Sequence, residues 1–135
     1  MPKQFTLEIT ADIYQYEELS TADQKLLSRA REASKNAYAP YSNFWVGAAI
    51  ELETGEIVTG TNQENAAYPS GLCAERTAIY WLGANYPKSE IKSIAVTAQH
   101  ANSDIFLQVT PCGSCRQAIS EYETKQGKHI KMILE

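Results

Sequence analysis

The stretch FWVGAAIELETGEIVTGT, residues 44–61, decides the fold, because it contains two strand patterns joined by a turn signal. Residues 44–52 form a short apolar run that is typical of a buried β-strand. Thr54-Gly55 is a turn, and residues 56–61 are predicted to return as a second strand. We therefore predict a β-hairpin over this stretch.

The residues before the hairpin predict one helix. It begins near Thr21, where Thr21 and Gln24 form a capping-box pair. Pro40 is expected to end it, because the residue before a proline avoids the helical conformation. Residues 5–9 alternate apolar and polar side chains and are predicted to form a peripheral strand. The apolar face of the helix consists of Leu26, Ala30, Ala33 and Ala37.

Strands and helices alternate after the hairpin. Helices are predicted at about 72–84 and from Pro111 onward, since proline suits the first helical turn. Ala74, Ala78, Trp81 and Leu82 form the apolar stripe of the earlier helix, and Cys115, Ile119 and Tyr122 share a face of the later one. This alternation predicts an α/β fold, a three-layer α/β/α sandwich with a mixed β-sheet. The remaining predicted segments are strands at 91–98 and 130–134, a short run at 105–109 and a loop at 99–103.

Length and composition bound the classes of protein that the chain can represent. With 135 residues, 44% of them apolar, it fits one domain, which we place at 21–135 after an N-terminal extension at 1–20. The net charge of −4 argues against a general binder of nucleic-acid backbones. The apolar runs are too short for a membrane span, and the start MPKQFTLEIT has no signal core, which predicts a cytoplasmic protein.

The three cysteines predict a metal site or a catalytic site, because an odd number without a signal peptide does not suit a disulfide framework. Cys112 and Cys115 lie in the motif P-C-G-S-C at the start of a predicted helix, where the helix dipole favours thiolates. Cys73 also lies near a predicted helix start. If both helices start at the same sheet edge, three sulfurs meet at one point, and a tetrahedral Zn²⁺ keeps its fourth position open, as in catalytic zinc sites.

Each of these residues also has a simpler interpretation. The C-x-x-C motif is compatible with a thioredoxin-like redox pair, and Cys73 with an inert buried thiol. Glu75, two residues after Cys73, could be a first-turn carboxylate that complements the helix dipole. The alternative is that Glu75 faces the metal-bound water, where a proton shuttle is needed.

Three motifs follow one another along the chain: YAPYSNFWVGAA (38–49), TNQENAAYPSGLCAERTA (61–78) and TPCGSCRQ (110–117). In these motifs, and from about residue 37 to residue 122, the chain resembles the small, homotetrameric, three-cysteine cytidine deaminases, in which the motifs occur in the same order. A first zinc ligand, a glutamate two residues later and then P-C-x-x-C is the pattern of zinc deaminases.

The resemblance implies a role for each matching residue. Cys73, Cys112 and Cys115 would hold one zinc ion per chain, and Glu75 would shuttle protons. Arg76 would hydrogen-bond the zinc thiolates and offset their charge. The implied substrate contacts are Asn62 and Glu64 to the ribose 3′-hydroxyl, Phe44 to the pyrimidine or sugar, and the backbone of Ala74 to the amide edge of the ring.

Taken singly, the substrate residues have other interpretations: Asn62 and Glu64 as turn residues, Phe44 as a core residue and Arg76 as a solvated helix residue. His100, in the predicted loop, and His129 lie outside the motifs and are predicted to be exposed on the surface. Trp45 and Trp81 are predicted to lie in the core or in a subunit interface.

The implied activity is hydrolytic deamination of cytidine and 2′-deoxycytidine in pyrimidine salvage, by a homotetramer with sites at subunit interfaces and without nucleic acid or membrane partners. The alternatives are a deaminase of another aminated nucleoside and a non-catalytic, zinc-stabilised binding module. Members of the family usually continue into a further strand and an aromatic tail, and we expect both to be missing after residue 135.

Overall fold

A five-stranded mixed β-sheet organises the chain in the computed structural model, which describes residues 1–135. Its strands are β1 (Phe44–Leu52), β2 (Ile57–Thr61), β3 (Ile91–His100), β4 (Phe106–Leu107) and β5 (Lys131–Leu134). Strand β1 lies between β2 and β3 and is antiparallel to both. The other side of β3 pairs with β4 in antiparallel and with β5 in parallel orientation, which makes the sheet mixed.

Three helices cover the two faces of this sheet: α1 (Thr21–Ser34), α2 (Ala74–Asn85) and α3 (Gly113–Gln126). Because side chains alternate along a strand, β1 supplies both cores. Ala49 packs with Leu26 and Ala30 of α1, whereas Ile50 packs in the larger core with residues of α2 and α3 such as Ile79 and Ile119. The predicted three-layer α/β/α sandwich is confirmed.

Two glycines allow the helices to approach the strands closely. A Cβ atom on Gly47 of β1 would lie 2.0 Å from the carbonyl oxygen of Ala30 in α1. A Cβ atom on Gly60 of β2 would lie 2.6 Å from the backbone nitrogen of Ala78 and 2.8 Å from the carbonyl oxygen of Ala74. The glycine at position 60 therefore lets the first turn of α2, which follows Cys73, lie directly on the sheet.

The first helix differs from the prediction at both ends. Its N-cap is Ser20, whose hydroxyl accepts a hydrogen bond from the Asp23 backbone N–H at 3.2 Å, so the capping pair is not Thr21 and Gln24. It ends at Ser34, before Pro40, because the backbone of Tyr38 pairs with residues 62–64. Ala37 consequently lies outside the helix.

Two other expectations were wrong. Residues 5–9 are exposed and form no strand, because no neighbouring strand pairs with them. Strand β3 extends to His100, since Gln99 and His100 pair with Trp45 and Phe44 of β1, so these residues are not in a loop. Of the two locations predicted for Trp81, the core is excluded, because this residue is 51% exposed and contacts Tyr86. No helix of the chain has the length and apolar character needed to cross a membrane.

An ion pair ties the start of α1 to β5. Lys131 Nζ lies 2.6 Å from Oδ2 of the buried Asp23. Burial alone would raise the pKa of Asp23, but hydrogen bonds from Lys131 and Ser20 outweigh it and hold this pKa below its ordinary value. A carboxyl with a lowered folded-state pKa stabilises the fold above its unfolded pKa, and this contribution disappears as the pH falls through the folded pKa.

We expect Lys131→Met to flatten the acid dependence of stability. The wild-type free energy of unfolding should fall more steeply than that of the variant between about pH 5 and pH 3, by up to about 1 kcal/mol, since Lys131 is largely exposed. Urea unfolding at a series of pH values measures this. Lys25→Met, which removes an exposed lysine of α1, is the control and should retain the wild-type slope; equal slopes for wild type and Lys131→Met would contradict the expectation.

Candidate active site

The three cysteines meet where two helices begin. Cys73 is the N-cap of α2, Cys112 is the N-cap of α3, and Cys115 lies in the first turn of α3. Neither N-cap side chain caps its helix by accepting a hydrogen bond from a backbone N–H, so both sulfurs are available to other partners. The three Sγ atoms lie within 4.8 Å of one another, as the position of the two helix starts predicts.

This cluster fits a zinc ion. All three cysteines are free, and the Sγ atoms of Cys73 and Cys112 are 3.8 Å apart, much too far for a disulfide bond. Two sulfurs that each bind one tetrahedral zinc at about 2.3 Å lie roughly 3.8 Å apart. Three thiolates leave a fourth position open, which is the arrangement of catalytic zinc sites.

Arg76 supplies positive charge beside this cluster. Its Nη2 lies 3.7 Å from Cys73 Sγ, and its Nε is buried without a hydrogen-bond partner. A guanidinium held this close to sulfur is expected where the sulfurs carry negative charge, because three thiolates on Zn²⁺ leave a net charge of about −1. Hydrogen bonds from Cys115 and Arg76 lower the pKa of the Cys73 thiol to about 5, whereas the hydrogen bond to Cys73 and burial raise the pKa of Cys115.

Glu75 is a buried carboxyl beside the sulfurs. It lies in the first turn of α2, its residue surface is 5% exposed, and burial raises its pKa. The negative charge of Cys73 acts in the same direction, whereas contacts with its own backbone N–H and with Cys115 oppose it. A carboxyl in this environment can hold and release a proton near neutral pH more readily than an exposed one.

A cavity of about 940 Å³ opens in front of the sulfurs. Ala74 and Cys115 are fully buried and do not line it. The volume suits a small organic ligand. The sequence-predicted residues that line this cavity are Phe44, Asn62, Glu64, Cys73, Glu75, Arg76 and Cys112.

Asn62 and Glu64 make hydrogen bonds to the chain before and at the start of β1 that were not predicted from the sequence. Asn62 Oδ1 accepts a hydrogen bond from the Val46 N–H, and its Nδ2 donates to the Phe44 carbonyl, both at 2.9 Å. The carboxylate of Glu64 accepts hydrogen bonds from the backbone N–H groups of Tyr41 and Ser42 and from the Ser42 hydroxyl, and these lower its pKa, the hydroxyl bond most. Both side chains therefore stabilise the backbone of residues 41–46, which leads into β1.

Two further residues, Ser42 and His100, contact Phe44 and were not predicted from the sequence to belong to this region. Ser42 connects Glu64 to the Phe44 backbone, because its Oγ also accepts a hydrogen bond from the Phe44 N–H at 3.1 Å. His100 contacts the Phe44 ring edge to face, with ring centroids 5.3 Å apart. His100 is exposed, as predicted, and its position at the end of β3 could have been inferred only from the strand register.

Fold and site together define a class: an α/β/α protein with a three-cysteine metal centre, a buried carboxyl and a cavity for a small ligand. Comparison with known proteins narrows this class. Residues 20–129 match the family model described as the cytidine and deoxycytidylate deaminase zinc-binding region. A cytidine deaminase of Sporosarcina psychrophila is 43% identical over 99 residues, which cover 73% of this chain and 68% of that protein.

Solved structures give the same result. A cytidine deaminase from Mycobacterium tuberculosis has 34% identity and a TM-score of 0.65, covering 76% of this chain and 79% of that one. One from Burkholderia pseudomallei has 42% identity and a TM-score of 0.61, covering 70% and 72%. The chain belongs to the cytidine and deoxycytidylate deaminase zinc-binding family, and zinc is its metal.

Proposed function

We propose that this protein is a zinc-dependent hydrolase that deaminates cytidine and 2′-deoxycytidine to uridine and 2′-deoxyuridine, with one water consumed and one ammonia released. The observation that carries the proposal is the meeting of three sulfurs and the buried Glu75 at the end of a cavity lined by Phe44, Asn62 and Glu64. Neither another aminated nucleoside nor a non-catalytic binding module is favoured by the relatives, which are cytidine deaminases.

Glu75 is the proposed proton carrier. When bound, zinc supplies a Lewis acid that makes water a nucleophile near neutral pH. Glu75 takes one proton from the attacking water and delivers it to N3 of the pyrimidine ring, which makes C4 more electrophilic, and the water oxygen forms a bond to C4. Glu75 then carries the second proton, from the new C4 hydroxyl, to the amino group, which leaves as ammonia when the C4–N bond breaks. Its burial supports this role, because a carboxyl with a raised pKa exchanges protons more readily at neutral pH.

The remaining residues are proposed to hold the substrate and tune the metal. Phe44 packs against the pyrimidine or the sugar, and the Ala74 backbone at the start of α2 contacts the amide edge of the ring. Asn62 and Glu64 hydrogen-bond the ribose 3′-hydroxyl through the donor hydrogens and oxygen lone pairs that their hydrogen bonds to residues 41–46 do not use. Arg76 partly neutralises the zinc ligands Cys73, Cys112 and Cys115.

The assembly and the cellular role extend the same proposal. The resemblance to the three-cysteine deaminases implies a homotetramer with sites at subunit interfaces and a cytoplasmic role in pyrimidine salvage. The three-cysteine cluster and the zinc-binding family support one zinc per chain. The domain would comprise residues 21–135 and the N-terminal extension residues 1–20. The net charge of −4 supports a free nucleoside over a polynucleotide as substrate.

One experiment tests the proposed activity. Zinc content is measured together with ammonia release from cytidine, 2′-deoxycytidine and free cytosine. We expect about one zinc per chain and turnover of both nucleosides in clear preference to cytosine. A zinc-loaded protein that releases no ammonia from any of the three would refute the proposal.

The ribose contact is tested by pairing a substrate change with Asn62→Ala. For wild-type protein, kcat/KM should be about 10-fold higher for cytidine than for 3′-deoxycytidine, because the latter lacks the hydroxyl that Asn62 and Glu64 would hydrogen-bond. Asn62→Ala should reduce this preference. Asn62→Ala also removes the hydrogen bond to the Phe44 carbonyl, but this loss should affect both substrates equally. The ratio of the two kcat/KM values therefore reports only the ribose contact, and an unchanged ratio in Asn62→Ala would exclude Asn62 from that contact.

A further inference from the structure

The Phe44 ring lines the cavity, and the backbone on both sides of it is fixed by hydrogen bonds. Ser42 Oγ accepts from the Phe44 N–H at 3.1 Å, and the Phe44 carbonyl accepts from Asn62 Nδ2 at 2.9 Å. These bonds hold the main chain but leave the two side-chain torsions of Phe44 undetermined. The orientation of the ring must therefore come from its side-chain neighbours.

His100 supplies such a contact from the neighbouring strand. It lies directly opposite Phe44 in the register of β1 and β3. One residue further on, the Ala101 N–H donates a hydrogen bond to the Asn43 carbonyl at 2.8 Å, which fixes the backbone beside this pair. Directly opposed residues of an antiparallel pair place their side chains on the same face. The two rings meet edge to face, 5.3 Å between centroids and 72° between planes, which is a favourable aromatic geometry.

We propose that His100 is a positioning residue: it holds the Phe44 ring in the orientation in which the ring packs against the substrate. This inference rests on the proposed function. His100 does not line the cavity, so it acts through Phe44. If the Phe44 ring contacts the nucleoside equally in the ground state and in the transition state, it contributes to substrate affinity and leaves the rate of the chemical step unchanged. The loss of the His100 ring should therefore raise KM without a comparable change in kcat.

The test compares zinc-loaded full-length variants. His100→Ala should raise KM for cytidine and Kd for uridine about 2- to 10-fold, the range of one aromatic pair, with kcat within about 2-fold of wild type. His100→Phe keeps an aromatic ring at this position and should restore both values. His129→Ala removes an exposed histidine that has no contact with an aromatic ring and should match wild type.

A double-mutant cycle separates positioning from a general structural effect. If His100 acts through Phe44, then His100→Ala should have little further effect on Kd in a Phe44→Leu background. An unchanged Kd in His100→Ala, failure of His100→Phe to restore it, or additive effects in the cycle would overturn the inference. A wild-type protein that binds uridine but releases no ammonia would instead refute the proposed function, while the Kd comparison still tests His100.

Discussion

Glu75→Gln should lower kcat for cytidine by about 10²- to 10⁴-fold while the protein keeps its fold and its zinc. Proton transfer by a positioned carboxyl contributes a factor of this size, and a neutral amide cannot carry the proton. The two side chains have nearly the same volume, so the buried position beside Cys73 and Cys115 should tolerate the exchange without a cavity. Steady-state kinetics and zinc analysis of the same preparation measure both expectations.

Glu121→Gln is the matched control, because it makes the same exchange at an exposed position of α3 and should retain wild-type turnover. KM should change far less than kcat in Glu75→Gln, since the lost function is exerted in the transition state. A Glu75→Gln protein that contains one zinc per chain and turns over within about 10-fold of wild type would exclude Glu75 as the proton carrier.

Local signals in the sequence predicted the sheet and the metal centre well. The hairpin of β1 and β2 follows from an apolar run, a Thr-Gly turn and a return strand, all within 18 residues of chain. The convergence of Cys73 with Cys112 and Cys115 follows from two cysteine-bearing helix starts at one sheet edge. Spacing along the chain carries this information, because strand and helix geometry convert it directly into position.

The parts that the sequence did not predict depend on partners distant in the chain. The helix α1 ends at Ser34 because the backbone of Tyr38 pairs with residues 62–64. The residues around Tyr38 contain no signal that predicts this pairing. The hydrogen bonding of Asn62 to β1 and the contact of His100 with Phe44 likewise depend on tertiary register. Residues 5–9 show the opposite error, because an alternating pattern forms a strand only where a neighbouring strand is available.

Cys112→Ala should remove zinc from the protein and abolish deamination. The site offers three protein ligands, and even a change in a partner of a zinc ligand costs about 10- to 100-fold in affinity, so the loss of a ligand should cost more than about 100-fold. Cys112 is the best of the three positions for this test because its side chain is exposed. The same exchange at Cys115, which is fully buried, would combine metal loss with a cavity in the core.

The measurement is zinc content after dialysis against a weak chelator, with circular dichroism to establish that the fold persists. Ser120→Ala, which truncates an exposed polar side chain of the same helix, should keep about one zinc per chain and full turnover. Cys112→Ala should lose both together, because Cys73 and Cys115 alone cannot complete the site. A folded Cys112→Ala protein that retains one zinc and deaminates cytidine would place the metal on other residues. Loss of zinc with turnover preserved would instead separate the metal from the reaction.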